Sequence, residues 1–263
     1  MLAAQRRDWL LARLERDGRL VAKDVAAELG VTEDSIRRDL RDLSAAGLCQ
    51  RVYGGALPVS PAVADYATRT TVSTASKRRV AAAAAGLVRP GATVLLDGGT
   101  TALEVARALP ADLDATVITH SPTVAAALVE HRSVEVWVLG GRLFKHSAVT
   151  CGAAAVEAAQ AVSADLFLLG VTGVHPQAGL TTGDADEAAM KRTLAGRAAE
   201  TYVLASAEKL GTASRYVVLP FDQVTGVVTD APDGDATITE LGRAGVGVLS
   251  ASTGEGARQA WAR

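Results

Sequence analysis

The hydrophobic positions of the chain repeat with a helical spacing up to residue 56, and the pattern changes from about residue 77 onward. In the first stretch, apolar residues recur roughly every three or four positions, as on one face of an amphipathic helix. Thr32 is placed to cap a helix, and Gly54-Gly55 marks a turn after a short apolar run. The pattern predicts helices at about Gln5–Arg16, Ala22–Leu29 and Glu33–Ala46, followed by a strand at Leu48–Val52.

From about Lys77 onward, short apolar runs alternate with helical segments. Strands are predicted at Thr93–Leu96, Thr116–Thr119, Val134–Leu139, Asp165–Leu169, Thr201–Ala205, Val224–Thr229 and Val246–Ser250. Helices between them are predicted at Ala102–Leu109, Thr123–His131, Ala153–Val162 and Asp184–Ala199. Because short buried strands separated by helices form parallel sheets, this half of the chain is predicted to be an α/β domain with an open, mostly parallel sheet.

The region between the two patterns contains Pro58, Pro61 and many small polar residues, a composition typical of a linker. The predicted organisation is therefore a mostly helical domain with a small β-ribbon over residues 1–57, a linker over 58–75, and an α/β domain over 76–263.

The composition excludes a disordered or collagen-like chain, since 49% of the 263 residues are hydrophobic and 21% are charged. The formal charge of −2 gives no indication of nucleic-acid binding for the chain as a whole. Cys49 and Cys151 lack metal-ligand spacing, which predicts two reduced thiols, no metal site and a cytoplasmic location. No signal peptide and no apolar run of roughly 18 residues is found, so we expect a soluble protein without a membrane segment, and no cofactor is predicted.

The third predicted helix separates an apolar face from a basic one. Ile36, Leu40 and Leu43 repeat at helical spacing and should face the core. Arg38 then points directly away from that face, with Arg37 and Arg41 nearer its flanks. Exposed arginines on a short helix after a tight turn are typical of the recognition helix of a helix-turn-helix, since a guanidinium group can bind guanine or phosphates.

Residues around this helix fit the same interpretation. Ser35 near the helix start could reach a base or a phosphate, and Arg51 and Tyr53 lie on a ribbon that could serve as a wing against DNA. The residues alone leave an alternative open, in which this helix is simply solvated and carries ion pairs on its surface. It would do so because acidic residues lie among the arginines, and these are Asp34, Asp39 and Asp42.

A glycine pair directly follows the strand Thr93–Leu96 and precedes a helix. Gly98 and Gly99 would allow close backbone approach, and the N-terminus of the helix favours an anion. Thr100 and Thr101 add hydroxyl donors, and Asp97 could accept a hydrogen bond from a sugar hydroxyl. These residues suggest a phosphate site, although a tight turn capped by an aspartate explains the same short motif.

Two further groups follow other strands. Arg142 and Lys145 come after Gly140-Gly141, where a plain turn with a solvated basic tail is the alternative. Thr172 follows the strand at Asp165–Leu169, and Glu187 and Lys191 lie four residues apart on one helix, where an intrahelical ion pair is the alternative. Only five of the 27 basic residues are lysines, and they are Lys23, Lys77, Lys145, Lys191 and Lys209. Three of them, Lys145, Lys191 and Lys209, fall at predicted strand ends or helices beside these turns, which suggests sites that need a compact ammonium group.

The third predicted helix and the turn before it contain the run Val31-Thr32-Glu33-Asp34-Ser35-Ile36-Arg37-Arg38-Asp39-Leu40, and Gly47, Arg51 and Gly54-Gly55-Ala56 follow it. This pattern resembles the N-terminal domain of the DeoR family of bacterial transcriptional regulators. The resemblance implies a winged helix-turn-helix. Thr32, Ser35 and Tyr53 replace the family's usual Ser, Thr and His. The residues predicted to bind double-stranded operator DNA are Thr32, Ser35, Arg37, Arg38, Arg41, Arg51 and Tyr53.

Residues 77–230 resemble the C-terminal domain of the same family, which is related in fold to ribose-5-phosphate isomerase. The resemblance implies an effector site for a phosphorylated sugar or a similar metabolite. Ser206 stands where the family usually has Asp, and Thr172 where an acidic or amide residue is common. The residues predicted to bind the effector are Asp97, Gly98, Gly99, Thr100, Thr101, Arg142, Lys145, Thr172, Glu187, Lys191 and Lys209.

The resemblance favours a regulator that controls a carbohydrate or related catabolic operon, as a repressor rather than an activator, and as a homodimer or homotetramer. The alternative is a sugar-phosphate isomerase with a DNA-binding appendage. Isomerisation needs a carboxylate base, and the isomerases supply acids in an Asp-Gly-Ala-Asp motif. This chain has Leu169-Gly170-Val171-Thr172 at the corresponding place, so we predict binding without catalysis. A module that only mediates protein association would leave the glycine turns unexplained.

Overall fold

The amphipathic repeats of the N-terminal region form three helices and three short strands in the computed structural model, which describes residues 2–251. These elements are α1 (Ala3–Asp17), β1 (Leu20–Val21), α2 (Ala22–Leu29), α3 (Glu33–Ala45), β2 (Gln50–Val52) and β3 (Gly55–Leu57). The strands pair antiparallel in the order β1-β3-β2, so β2 and β3 make the wing. The predicted core residues of α3, Ile36, Leu40 and Leu43, are buried with Leu10 and Leu14 of α1.

Local sequence explains why the second and third helices meet at a sharp turn. Gly30 ends α2 with φ of +63°, a conformation that favours glycine. Thr32 then caps α3, because its hydroxyl accepts a hydrogen bond from the backbone N–H of Ser35. The predicted helix-turn-helix is confirmed, and its helices end within two residues of the expected positions.

Residues 58–75, predicted to be a linker and here called the interdomain segment, contain regular structure. The segment contains a 3₁₀ turn at Pro61–Val63 and the helix α4 (Tyr66–Thr71), and the helix α5 (Thr74–Ala85) begins inside it. Polar groups bind it to the C-terminal domain: Ser60 Oγ donates to the Thr172 carbonyl at 2.5 Å, and Tyr66 Oη lies 3.0 Å from Thr123 Oγ1. These long-range contacts order a segment that has no apolar repeat of its own.

The remainder of the described chain alternates strands and helices. The strands are β4 (Thr93–Leu96), β5 (Ala115–Thr119), β6 (Val134–Val138), β7 (Arg142–Phe144), β8 (Val149–Cys151), β9 (Ala164–Gly170), β10 (Gly173–His175), β11 (Gly179–Thr182), β12 (Ala198–Leu204), β13 (Tyr216–Leu219), β14 (Gly226–Thr229) and β15 (Gly247–Ser250). The helices are α6 (Thr100–Ala108), α7 (Pro122–Leu128), α8 (Ala153–Gln160), α9 (Ala185–Ala195) and α10 (Ala236–Arg243).

The seven apolar strands that the sequence predicted make one parallel sheet in the order β15-β14-β12-β9-β4-β5-β6. Helices α5, α6 and α7 cover one face of this sheet, and α8, α9 and α10 cover the other. Successive strand residues alternate between the two cores, with Leu168 in the first and Phe167 and Leu169 in the second. The predicted α/β fold is confirmed.

The structure adds two antiparallel units that the sequence did not predict. Strands β7 and β8 form a hairpin, and β10, β11 and β13 form a small sheet. Thr150 fixes the hairpin to the carboxyl ends of β5 and β6, because its N–H donates to the His120 carbonyl and its hydroxyl donates to the Leu139 carbonyl. The two cysteines, Cys49 and Cys151, are free and buried. Among residues 2–251, no helix is both long and apolar enough to cross a membrane.

Candidate functional site

Helix α3 presents arginines to solvent on the side opposite its buried face. Arg38 and Arg41 are exposed, and within residues 2–251 neither makes an ion pair. Arg37 is also exposed but lies 2.7 Å from Glu33, one turn earlier on the same helix. The two unpaired guanidinium groups are therefore available to an external anion or base edge.

The acidic residues of α3 are bound by the first helix and not by these arginines. Asp39 is buried and accepts hydrogen bonds from Arg6 at 2.5 Å and Arg7 at 3.2 Å, and Asp42 also pairs with Arg7. The alternative of a solvated helix with surface ion pairs thus applies to Arg37, whereas Arg38 and Arg41 remain without such a pair in the part of the chain that the structure describes. The pairs instead fix the position of α3 against α1.

The wing places its two predicted DNA contacts in solvent. Arg51 on β2 is exposed, and Tyr53 at the turn between β2 and β3 is fully exposed. Tyr53 therefore takes no part in the core. At the start of α3, the Thr32 hydroxyl caps the helix and lies 2.9 Å from the Ser35 hydroxyl.

The C-terminal domain contains a cavity of about 370 Å³ at the carboxyl ends of its central strands. Chain connections run from β4 toward β5 and β6 on one side, and from β9 toward β12 on the other, so the strand order reverses between β4 and β9. Gly98 and Gly99 follow β4, Gly170 ends β9, and all three line the cavity. Ligands of open parallel α/β sheets bind at this kind of switch point.

The turn after β4 has the geometry that an anion site requires. Gly99 precedes α6 with φ of +92°, and a Cβ at Gly98 would lie only 2.0 Å from the Val149 side chain, so both positions need glycine. Thr100 and Thr101 begin α6 and line the cavity. Because the first N–H groups of a helix lack intrahelical acceptors, this end of α6 offers donors and a positive dipole to a ligand.

Asp97 does not face the cavity, which corrects its expected role as an acceptor for a sugar hydroxyl. Its carboxylate is completely buried and already accepts from four donors. These are Gly98 N at 2.7 Å, Gly170 N at 2.8 Å, His120 Nε2 at 2.7 Å and Lys191 Nζ at 2.5 Å. Burial alone would raise the pKa of Asp97, but the adjacent Lys191 and His120 hold it well below the usual range.

Glu187 and Lys191 of α9 both line the cavity and are buried. Lys191 Nζ lies 3.8 Å from Glu187 Oε1, so the intrahelical pair is present, but the ammonium is closer to Asp97. Burial would lower the pKa of Lys191, whereas the charges of Asp97 and Glu187 outweigh burial and raise it. Thr182 donates to the other oxygen of Glu187 at 3.1 Å. Most of the charge of Lys191 is therefore balanced within the protein.

Lys209 lines the same cavity without a carboxylate partner in the described part of the chain. Its Nζ lies 3.5 Å from Thr101 Oγ1 and 3.4 Å from the Leu204 carbonyl. Burial lowers the pKa of Lys209 to about 8. Thr172, predicted for the site, also lines the cavity, with its hydroxyl 3.5 Å from that of Thr182.

Arg142 and Lys145 lie outside the residues that line the cavity, contrary to their predicted role. Both are exposed, and Arg142 pairs with Asp186 at 2.9 Å. The chain after β6 forms the β7–β8 hairpin, which directs these side chains to solvent. Other residues of the hairpin line the cavity instead, namely Phe144, His146 and Ser147.

Two cationic residues of the cavity were not among the predicted effector-binding residues. Arg69 on α4 and Lys77 on α5 both line it. Lys77 Nζ donates to the carbonyls of Arg69 and Val72, at 2.5 Å each. The scarcity of lysines had drawn attention to Lys77, but no local pattern marked Arg69, because it lies in the segment predicted to be a linker.

Comparison with known proteins matches both domains. A family model described as the DeoR-like helix-turn-helix domain matches residues 6–62. A second, described as the DeoR C terminal sensor domain, matches residues 72–231. The chain belongs to the DeoR family. The resemblance inferred from the sequence is thereby confirmed, and we refer to residues 76–251 as the sensor domain.

Relatives match over nearly their whole length. The HTH-type transcriptional regulator GlpR of Haloferax volcanii is 32% identical over 95% of this chain and 98% of its own. The HTH-type transcriptional repressor GlcR of Bacillus subtilis is 30% identical, with coverages of 94% and 96%. The glycerol-3-phosphate regulon repressor of Escherichia coli K12 is 26% identical, with coverages of 88% and 92%. This DeoR-family protein is accordingly a DNA-binding transcriptional regulator and not an enzyme.

Solved structures also align with the sensor domain. Ribose 5-phosphate isomerase A of Methanocaldococcus jannaschii aligns at 20% identity over 51% of this chain and 53% of its own, with a TM-score of 0.38.

Proposed function

We propose that this DeoR-family protein is a cytoplasmic repressor of a carbohydrate operon, whose affinity for its operator is set by a phosphorylated sugar bound in the sensor domain. The observation that carries the proposal is the cavity at the strand-order reversal, where the N-terminus of α6 meets Arg69, Lys77 and Lys209. Within the described residues, these three cations have no ion-pair partner, so an anionic ligand would be able to pair with them.

The carboxylates of the cavity are held by other groups and, in the described residues, form no ion pair with these three cations. Asp184 caps α9 by accepting from the Glu187 N–H, and Glu187 is engaged by Thr182 and Lys191. Glu208 accepts a hydrogen bond from the Ser206 hydroxyl at 2.6 Å. Such carboxylates suit sugar hydroxyls, while the cations suit a phosphate. A cavity of about 370 Å³ lies within the roughly 300–1,000 Å³ of small-molecule sites.

DNA reading is assigned to the free face of α3 and to the wing. Arg38 and Arg41 have no partner in the described chain, and Arg51 and Tyr53 stand exposed on the ribbon. A helix-turn-helix inserts such a helix in the major groove, where an arginine can bind guanine with two hydrogen bonds. We propose that a homodimer or homotetramer places two such heads on half-sites about one helical turn apart.

A duplex selected from a randomised library of about 30 base pairs provides the DNA for the test, since this length holds two half-sites. Arg38→Ala is expected to weaken binding by about 5- to 150-fold, the effect of losing a base-reading arginine, measured by fluorescence anisotropy at fixed salt. Arg37→Ala is the matched control. Because Arg37 already pairs with Glu33, its replacement should weaken DNA binding less than Arg38→Ala does. Equal affinity of the Arg38 variant and the unaltered protein would place the reading face elsewhere.

The effector class is tested by thermal shift and by release of the selected duplex. Ribose 5-phosphate, glycerol 3-phosphate and glucose 6-phosphate are compared with ribose, glycerol and glucose at equal concentration. We expect at least one phosphate ester to stabilise the protein and to release the DNA, and its parent compound to do neither. Equal effects of an ester and its parent would remove the phosphate from the proposal.

A further inference from the structure

Arg69 has a hydrogen-bonding deficit that the described residues do not meet. Its Nη2 donates to the His146 carbonyl at 2.7 Å, and its guanidinium carbon lies 5.8 Å from the centre of the Tyr66 ring. Its Nε is buried and has no hydrogen-bond partner within the described residues. A buried N–H without an acceptor is rare in folded proteins and costs free energy. An acceptor supplied by a ligand would remove that cost.

The guanidinium faces the anion-binding end of α6. Arg69 and Gly99 both line the cavity, and a Cβ built at Gly99 would lie 3.8 Å from Arg69 Nη1. An oxyanion on the first turn of α6 would therefore be within reach of the free donors of Arg69. The planar guanidinium group binds phosphate oxygens with two parallel hydrogen bonds, which a lysine cannot do.

Arg69 also belongs to the chain segment that leads directly from the wing. The interdomain segment starts after β3, and Ala213 N donates to the Pro58 carbonyl at 3.5 Å. Ser60 Oγ bonds the carbonyl of Thr172, a cavity residue, and Lys77 fixes the end of α4 through the Arg69 carbonyl. A ligand that binds Arg69 therefore acts on the connection to the DNA-binding domain.

We propose that Arg69 clamps the phosphate of the ligand against the N-terminus of α6, and that the interdomain segment is the element through which the bound ligand alters the DNA-binding domain. This inference rests on the proposed function, because it assigns the phosphate subsite of that cavity. It goes beyond that function by giving one residue of the interdomain segment two roles, in affinity and in signal transmission.

The binding test uses ribose 5-phosphate and inorganic phosphate as probes, titrated by calorimetry into the full chain. Arg69→Met is expected to weaken binding of both probes by about 10- to 150-fold, the effect of losing a hydrogen bond to a charged group. Arg69→Lys keeps the positive charge but loses the two parallel hydrogen-bond donors, so its affinity for the probes should lie between those of the unaltered protein and Arg69→Met. Arg142→Met is the matched control, since that arginine is exposed outside the cavity, and it should bind as the unaltered protein does.

The outcomes separate the two proposals. An unaltered protein that binds neither probe refutes the phosphate site and the clamp together. An unaltered protein that binds, with Arg69→Met equally tight, refutes the clamp alone. If Arg69→Met does not fold, Arg69→Lys decides, and an affinity equal to that of the unaltered protein overturns the forked contact.

Signal transmission is tested by amide hydrogen exchange with and without ribose 5-phosphate. We expect exchange of residues 58–75 to slow at least about tenfold in the bound protein, because the ligand fixes α4 to α6. With its own ligand-free complex as the reference, Arg69→Met should not release the selected duplex when the probe is added, whereas the unaltered protein should release it. Unchanged exchange in the interdomain segment of the ligand-bound protein would refute its role as the transmitting element.

Discussion

Asp97 carries a buried negative charge on which the central part of the sensor domain depends. It joins β4, through Gly98 N, to β9, through Gly170 N, and to α9, through Lys191 Nζ. The change to Asn keeps the shape of the side chain and removes its charge. Asp97→Asn therefore leaves the Lys191 ammonium, whose side chain is only 4% exposed, with Glu187 at 3.8 Å as its remaining carboxylate.

The magnitude follows from the cost of an uncompensated buried charge. Breaking a buried ion pair by removing one partner lowers the free energy of unfolding by about 3–5 kcal/mol. For a domain of this size, each kcal/mol lowers the melting temperature by roughly 2–4 °C, which gives a loss of about 6–20 °C. An amide also places an N–H₂ group where Gly98, Gly170 and Lys191 all present donors, so relaxation at the site should recover little.

Differential scanning fluorimetry and urea unfolding of the full chain measure the effect. Lys191→Met is expected to lower the free energy of unfolding by a similar amount. The double variant with Asp97→Asn and Lys191→Met should lose clearly less than the sum of the two, because the two charges of that ion pair are then removed together. Asp186→Asn is the control, since its pair with Arg142 is exposed and should contribute no more than about 1 kcal/mol. A loss below about 1 kcal/mol for Asp97→Asn, or strictly additive losses in the double variant, would refute the reasoning.

Two further expectations concern the ligand. Thr100→Ala should leave affinity for the selected duplex unchanged but weaken the response to ribose 5-phosphate about tenfold, because α6 loses one hydroxyl donor; an unchanged release curve would remove Thr100 from the site. Affinity for ribose 5-phosphate should fall as the pH rises from about 8 to 9.5, since burial lowers the pKa of Lys209 to about 8 and a bound anion favours its protonated form. Below that pKa the ammonium is already formed, so Lys209→Met should bind ribose 5-phosphate more weakly than the unaltered protein at about pH 7, and its affinity should not decline as the pH rises. Calorimetry of both proteins across this pH range measures the difference. An affinity of the unaltered protein that does not change with pH contradicts the assignment.

The large elements could be predicted from the sequence because their signals are local. A buried strand such as Thr93–Leu96 shows its apolar run directly, and α3 shows its period through Ile36 and Leu40. The ends of predicted helices and strands were less certain where the next element begins within a few residues. The predicted helix Asp184–Ala199 stops at Ala195, since the chain turns at Gly196 and β12 begins at Ala198.

The side-chain roles depended on residues far apart in sequence, and there prediction was weaker. Asp97 looked like a ligand contact, but His120, Gly170 and Lys191 arrive from three other parts of the chain and consume its hydrogen bonds. Arg142 was predicted to bind the effector, but the β7–β8 pairing directs it to solvent. No property of its immediate neighbours distinguishes a cavity residue in such cases, because the cavity exists only after the sheet has formed.

The place of Arg69 bears on how large a regulatory response the protein can produce. A ligand shifts the DNA-binding domain only to the extent that it binds one arrangement of the interdomain segment more tightly than the other. Typical couplings between sites are about 1–3 kcal/mol, which is close to the contribution of one hydrogen bond to a charged group. A single guanidinium–phosphate contact that forms in only one arrangement would thus suffice for a change of about 5- to 150-fold in operator affinity. If two heads bind one operator and each is coupled in this way, the two contributions add as free energies and the response is squared. Release of the selected duplex as ribose 5-phosphate is titrated measures this response.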